Sequence, residues 1–262
     1  MGFLQSNGAR IHYLDKGEGP ALLLLHAFPL SSSMWIKQAN DLKDHYRVLA
    51  PDFPGFGKSE LLPQPATIDL YAQVALALLD AAKVEKATVL GLSMGGYVAF
   101  ELWSRAKDRV AALALCDTKA TPDSADARKS REATAHAVED DGIGVLAERM
   151  IPNLVSPAAP DALKRDIEKM ITENSADGAA AALRAMAQRK DFTGSLKDIA
   201  CPTLVVVGDH DTVTPAAEGQ ALANAIPGAK LVQIPGSGHL SNLENPKAFD
   251  AALREFLDAH RG

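Results

Sequence analysis

The feature that most constrains the fold of this chain is a series of short, largely apolar runs. Ala21 to Leu25 is the first. Tyr46 to Ala50, Ala87 to Leu90, Val110 to Leu115, Thr203 to Val207 and, more weakly, Lys230 to Ile234 follow it. Runs of this length without polar alternation describe strands buried on both faces, the signature of a parallel sheet. Between them, residues 68–83, 95–106, 216–226 and 247–259 carry apolar side chains at helical spacing. Strands alternating with helices predict an α/β fold, a mostly parallel sheet covered by helices on both faces. Residues 10–15 alternate like a half-exposed strand, and Gly17-Glu18-Gly19-Pro20 reads as a turn.

One region breaks the alternation. From about 119 to 197 there is no good strand. Residues 142–154, 161–172 and 178–190 suit helices, and Thr121-Pro122-Asp123 could cap another. The expected organisation is therefore a core of residues 1–118 and 198–262, with 119–197 inserted as a helical lid.

Gly91-Leu92-Ser93-Met94-Gly95-Gly96 follows the apolar run and opens a helix-like stretch. G-x-S-x-G in that context forms a sharp turn that projects the serine hydroxyl from the sheet, with small residues letting strand and helix approach. The motif alone arises by chance too often to carry a function, so Ser93 needs a base. Of seven histidines, His239 stands in Pro235-Gly236-Ser237-Gly238-His239, directly after a strand, on the sheet edge where ligands bind in such folds. His26 reads as a structural loop residue. The base needs an orienting carboxylate. Asp209 and Asp211 follow the strand ending near Gly208, and Asp117 follows the strand ending at Leu115, so three candidates stand open. The oxyanion needs two backbone donors. Met94, after the nucleophile, is one. In the early loop His26-Ala27-Phe28-Pro29, Pro29 has no N–H, so Phe28 is the other. Asp209-His210-Asp211 lacks distant partners for a zinc site, and Gly57-Lys58-Ser59 lacks the first glycine of a P-loop. No metal or cofactor is expected.

With these motifs in place, the chain resembles the α/β-hydrolase superfamily, in its compact bacterial esterase, enol-lactonase and carbon–carbon hydrolase branch. The resemblance rests on residues 26–29, Asp52-Phe53-Pro54-Gly55-Phe56-Gly57-Lys58-Ser59, residues 91–96, Gly208 to Asp211 with Pro215, and Gly238-His239. It spans nearly the whole chain, and it is specific for the superfamily but not for a substrate. It implies Asp211 rather than Asp209 as the acid, a catalytic set Ser93, Asp211 and His239, and a lid at about 119–197. Ala27 is a departure, because similar proteins usually carry glycine after the loop histidine. Serine at 93 is unlike the dehalogenases and epoxide hydrolases of this fold, which carry aspartate there. Receptors that resemble the fold tend to a Gly-His-Ser-Val-Ser elbow, so Gly91-Leu92-Ser93-Met94-Gly95 favours an enzyme.

The expected activity is hydrolysis of small carboxylic esters or lactones through an acyl-enzyme on Ser93. Enol-lactone, vinylogous diketone and perhydrolytic chemistry are alternatives. Ala27, Phe28, Met34, Trp35, Met150, Ile151 and Met186 could line an apolar pocket. Composition narrows the partners. The chain has 262 residues, 27 basic against 33 acidic, and no basic patch, so nucleic acid is not expected. Two cysteines, Cys116 and Cys201, make no disulfide framework. No leader or membrane-length apolar run is evident, so the reading is cytoplasmic, monomeric or a small homo-oligomer. Met1 to Ser6 fits the bare myristoylation pattern, but reads better as the start of an edge strand.

Overall fold

The computed structural model describes residues 2–260. Met1, where the acylation pattern begins, lies outside them. The elements run β1 (Gly2–Ser6), β2 (Ala9–Lys16), β3 (Ala21–Leu25), α1 (Ile36–Leu42), β4 (Arg47–Pro51), α2 (Ile68–Ala81), β5 (Ala87–Leu92), α3 (Met94–Arg105) and β6 (Val110–Cys116). Then come four helices, α4 (Ala125–Asp141), α5 (Gly144–Leu154), α6 (Asp161–Thr172) and α7 (Ala176–Ala187). The chain closes with β7 (Thr203–Gly208), α8 (Ala216–Ala225), β8 (Lys230–Ile234), α9 (Ser241–Glu244) and α10 (Pro246–Ala259).

The eight strands form one sheet in the order β1-β2-β4-β3-β5-β6-β7-β8. β1 pairs antiparallel with β2, and β2 with β4; every later pairing is parallel. The apolar runs lie inside: Leu22 to Leu25 and Thr203 to Val207 are all buried. At the edges the strands alternate or thin out, as in β1 and in β8, whose Lys230 and Gln233 are exposed.

The alternating residues 10–15 lie in β2, and α2, α3, α8 and α10 fall within two residues of their sequence positions. Helix α1 was not expected, since Ile36 to Leu42 mixes Lys, Gln, Asn and Asp with few apolar residues. The helix after β6 begins later than Thr121-Pro122-Asp123 suggested. Ser124 caps α4, its Oγ accepting from the Ala127 N–H at 3.2 Å. The Asp123 carboxylate is instead taken by Arg131 and Arg189.

Parallel strands put all their carboxyl ends on one edge, and the loops there carry the site. Ser93 follows β5, Asp117 follows β6, Asp211 follows β7 and His239 follows β8, while the His26 loop follows β3. The four helices α4 to α7 lie between β6 and β7, with α4 packed on α7 and α5 on α6.

Candidate active site

The turn at Ser93 is tight enough to dictate its own sequence. Ser93 has φ 55° and ψ −114°, a left-sided conformation costly for a residue with a side chain. A Cβ on Gly91 would lie 2.2 Å from the Gly95 carbonyl oxygen. A Cβ on Gly95 would lie 2.1 Å from that of Leu25. Glycine is therefore required at both positions by contact with backbone. Thr118 adds a brace the sequence reading missed: its hydroxyl donates to the Ser93 carbonyl at 2.9 Å.

His239 Nε2 lies 2.7 Å from Ser93 Oγ, and His239 Nδ1 lies 2.8 Å from Asp211 Oδ2. All three side chains are buried. The aspartate is held as an orienter should be. Its Oδ1 accepts from the N–H groups of Val213 at 2.8 Å and Thr214 at 2.9 Å, and its Oδ2 from the Thr214 hydroxyl at 2.6 Å. Burial pushes the Asp211 carboxyl up, but the hydrogen bonds from His239 and Thr214 and the histidine's charge outweigh it. The group stays below the ordinary carboxylate range, ionised. A fixed carboxylate on Nδ1 holds that proton in place and leaves Nε2 to accept from the serine. Thr214 was not picked out from sequence, although Asp211-Thr212-Val213-Thr214-Pro215 is a turn-forming string.

The other carboxylates have different partners. Asp209 is exposed, beside His210 at 3.7 Å. Asp117 is fully buried and accepts from the Gly208 N–H at 2.8 Å and the Ser241 hydroxyl at 2.5 Å. Its burial outweighs the nearby His239 charge, and Asp211 adds repulsion, so its carboxyl is pushed up to about 7. Among the described residues no three His, Cys, Asp or Glu side chains gather as a metal site would require.

In the loop after β3 the Ala27 N–H is spent on Met34 Sδ at 3.2 Å, and Pro29 has none to give. No hydrogen bond among the described residues uses the N–H of Phe28 or of Met94. The departure at Ala27 causes no strain, since the positive-φ residues other than glycine are Asn7, Lys83, Ser93 and Asp117. His26 is structural: fully buried, it accepts the Phe53 N–H on Nε2 and donates Nδ1–H to the Ala27 carbonyl, each at 2.9 Å. Burial lowers its pKa to about 4, so it stays neutral. Asp52 ties the same loop down, accepting from the Ser32 and Lys58 N–H groups and pairing with His12.

The apolar candidates separate. Phe28 and Met150 share a cavity of about 510 Å³ under α4, α5 and α7. Met186 is buried, its Sδ accepting from Arg131 Nη1 at 3.5 Å. Ile151 borders a different cavity, against α6. Trp35 is not brought to any of these, because it is fully buried with its ring 6.3 Å from that of Phe249. A residue outside every sequence reading joins the helical segment to the His239 loop. Glu244 accepts from the Gly238 N–H, one residue before His239, and also from the N–H and hydroxyl of Ser156. Leu240 N–H donates to the Leu154 carbonyl at 3.0 Å beside it.

Comparison with known proteins agrees with this architecture. Residues 22–252 match the model of the alpha/beta hydrolase family, and the chain belongs to that family. It is 30% identical to 3-oxoadipate enol-lactonase 2 of Acinetobacter baylyi over 97% of this chain and 95% of that one. Among solved structures it resembles a thermophilic esterase from Thermogutta terrifontis, solved with malate bound. The TM-score is 0.94 and the identity 39%, covering 97% of this chain and 95% of that one. It also resembles the enol-lactonase from Burkholderia xenovorans, with TM-score 0.89, identity 31% and 98% and 100% covered. This chain is an α/β-hydrolase acting on ester bonds. Among the described residues no helix is long and apolar enough to cross a membrane.

Proposed function

We propose that Ser93, His239 and Asp211 form the catalytic triad of a hydrolase for small carboxylic esters, lactones included. The observation that carries the reading is the unbroken hydrogen-bonded line from Ser93 Oγ through the imidazole to Asp211, at 2.7 and 2.8 Å. As Ser93 Oγ attacks the carbonyl carbon, its proton passes to His239 Nε2, and Asp211 stabilises the imidazolium that forms. The carbonyl oxygen, now negative, takes the N–H groups of Phe28 and Met94. His239 returns the proton to the leaving alkoxide, so the alcohol departs and the acyl group stays on Ser93. Water then repeats the sequence, giving up its proton to His239 and releasing the acid and free Ser93. In a lactone the alcohol and the acid are one molecule, and a single product leaves. The helices between β6 and β7 act as the lid that closes the site from water, consistent with the burial of all three side chains.

The experiment is hydrolysis of p-nitrophenyl acetate to octanoate by the wild type and by Ser93→Ala. Turnover that vanishes in the variant supports the reading. Undiminished turnover by Ser93→Ala refutes it.

A further inference from the structure

The loop after β3, which carries the proposed oxyanion donor Phe28, is held from outside by the helical segment. Asn174, between α6 and α7, is buried and reaches two loops of the core. Its Nδ2 donates to the Pro29 carbonyl at 2.7 Å and to the Met170 carbonyl at 2.8 Å, and its Oδ1 accepts from the Gly57 N–H at 2.7 Å. Two carbonyls at one end and an N–H at the other fix which way the amide faces. The chain around it is seated hard on the core. The Ser175 N–H donates to the Gly55 carbonyl at 3.3 Å. A Cβ on Gly178 would lie 2.4 Å from that same oxygen, so backbone meets backbone there.

The Pro29 carbonyl is the far end of a series of amides. The peptide that carries it also carries the Leu30 N–H, which donates to the Ala27 carbonyl at 2.9 Å. The Ala27 carbonyl belongs in turn to the peptide that carries the Phe28 N–H. The order is the Asn174 amide, the Pro29–Leu30 peptide, the Ala27–Phe28 peptide and then the oxyanion. In a trans peptide the N–H and the C=O point in opposite directions, so each bond in the series aims the next donor. Each also polarises its neighbour, and the effect is larger where water is excluded. His26 Nδ1 holds the Ala27 carbonyl from the core side at 2.9 Å. Among the described residues no group other than Asn174 donates to the Pro29 carbonyl.

We propose that Asn174 is a positioning residue for the oxyanion: it fixes and polarises the series of peptides that ends on the Phe28 N–H. This inference rests on the reading of Ser93 as nucleophile and Phe28 as donor, but the two fail separately. The helical segment then takes part in the chemistry as well as covering it, since the donor is aimed only while Asn174 is seated.

The test compares wild type, Asn174→Asp and Asn174→Ala on p-nitrophenyl butyrate. Aspartate keeps the acceptor for Gly57 and loses the donors to Pro29 and Met170; alanine loses all three bonds. A misplaced donor weakens binding of the transition state more than that of the substrate. kcat should therefore fall about ten- to hundredfold in both variants, with KM within about twofold of wild type. Inhibition by a butyl trifluoromethyl ketone should weaken by the same factor. Ser93 Oγ adds to its carbonyl carbon, the proton passes to His239, and the carbonyl oxygen is left as the anion. If Asn174 only attaches the helices, the folded variants keep kcat and the affinity for the ketone and lose stability to urea alone, which overturns the proposal. A second measurement needs no variant. In wild type labelled with nitrogen-15, the ketone should move the Leu30 amide proton downfield, because charge at the Phe28 N–H strengthens the bond from Leu30 to Ala27. A Leu30 resonance that stays in place with the ketone bound overturns the proposal as well. Undiminished turnover by Ser93→Ala refutes the nucleophile, whereas an inactive Ser93→Ala beside fully active Asn174 variants refutes the role of Asn174 alone.

Discussion

Replacing Asp117 with Asn should make the protein more stable, by an amount that depends on pH. Asp117 is fully buried, and its carboxyl is pushed from the ordinary 3.8 up to about 7, chiefly by burial. In the unfolded chain the group ionises near pH 4, in the folded one only near pH 7. Between these values the folded state holds a proton that the unfolded state has lost. Stability attributable to this group therefore falls as pH rises from about 4 to about 7, and is level above. About three pH units at about 1.4 kcal/mol each give a loss of up to about 4 kcal/mol. Asparagine matches the neutral acid in shape and does not titrate. Its Oδ1 can keep the Gly208 N–H, and its amide can donate to Ser241 Oγ. It also tolerates the φ of 45° found at this position. The assay is urea unfolding of both proteins from pH 4 to pH 9. The stability gap in favour of Asp117→Asn should widen up to about pH 7 and then stay constant. At 2–4 °C of Tm per kcal/mol, the plateau is worth roughly 10 °C. Parallel curves over pH 4–8, or a variant that weakens progressively with rising pH, would refute the reasoning.

Two other perturbations probe the proposed triad and its support. Asp211→Asn should lower kcat on a p-nitrophenyl ester by about 10⁴-fold by favouring the wrong imidazole tautomer, with Asp209→Asn within a few-fold of wild type. An Asp211→Asn enzyme within tenfold of wild type would move the acid role elsewhere. Glu244→Ala strips the acceptor from two buried backbone N–H groups, those of Gly238 and Ser156. At about 1–3 kcal/mol per orphaned group it should lose about 2–6 kcal/mol in urea unfolding, and an unchanged midpoint would show that water replaces the carboxylate freely.

Much of the fold was legible because burial on both faces leaves strands like Ala21 to Leu25 no polar residue. The elbow was legible because backbone contact at Gly91 and Gly95 admits nothing larger. The acid was not decided by local pattern. Asp117, Asp209 and Asp211 all follow strand ends, and only the direction of each side chain tells them apart: towards Ser241, towards solvent beside His210, or towards His239. The pocket was least legible. Trp35 looked like a wall residue but packs on Phe249, more than 200 positions away in sequence.

The Glu244 bridge has a mechanical consequence. The stretch around Leu154 to Ser156, at the end of α5, is stitched to residues on both sides of the His239 imidazole. Were the whole helical segment to lift as one plate, it would tug Gly238 and Leu240 with it and pull His239 off Ser93. Any displacement of these helices that leaves His239 against Ser93 therefore has to leave this seam in place.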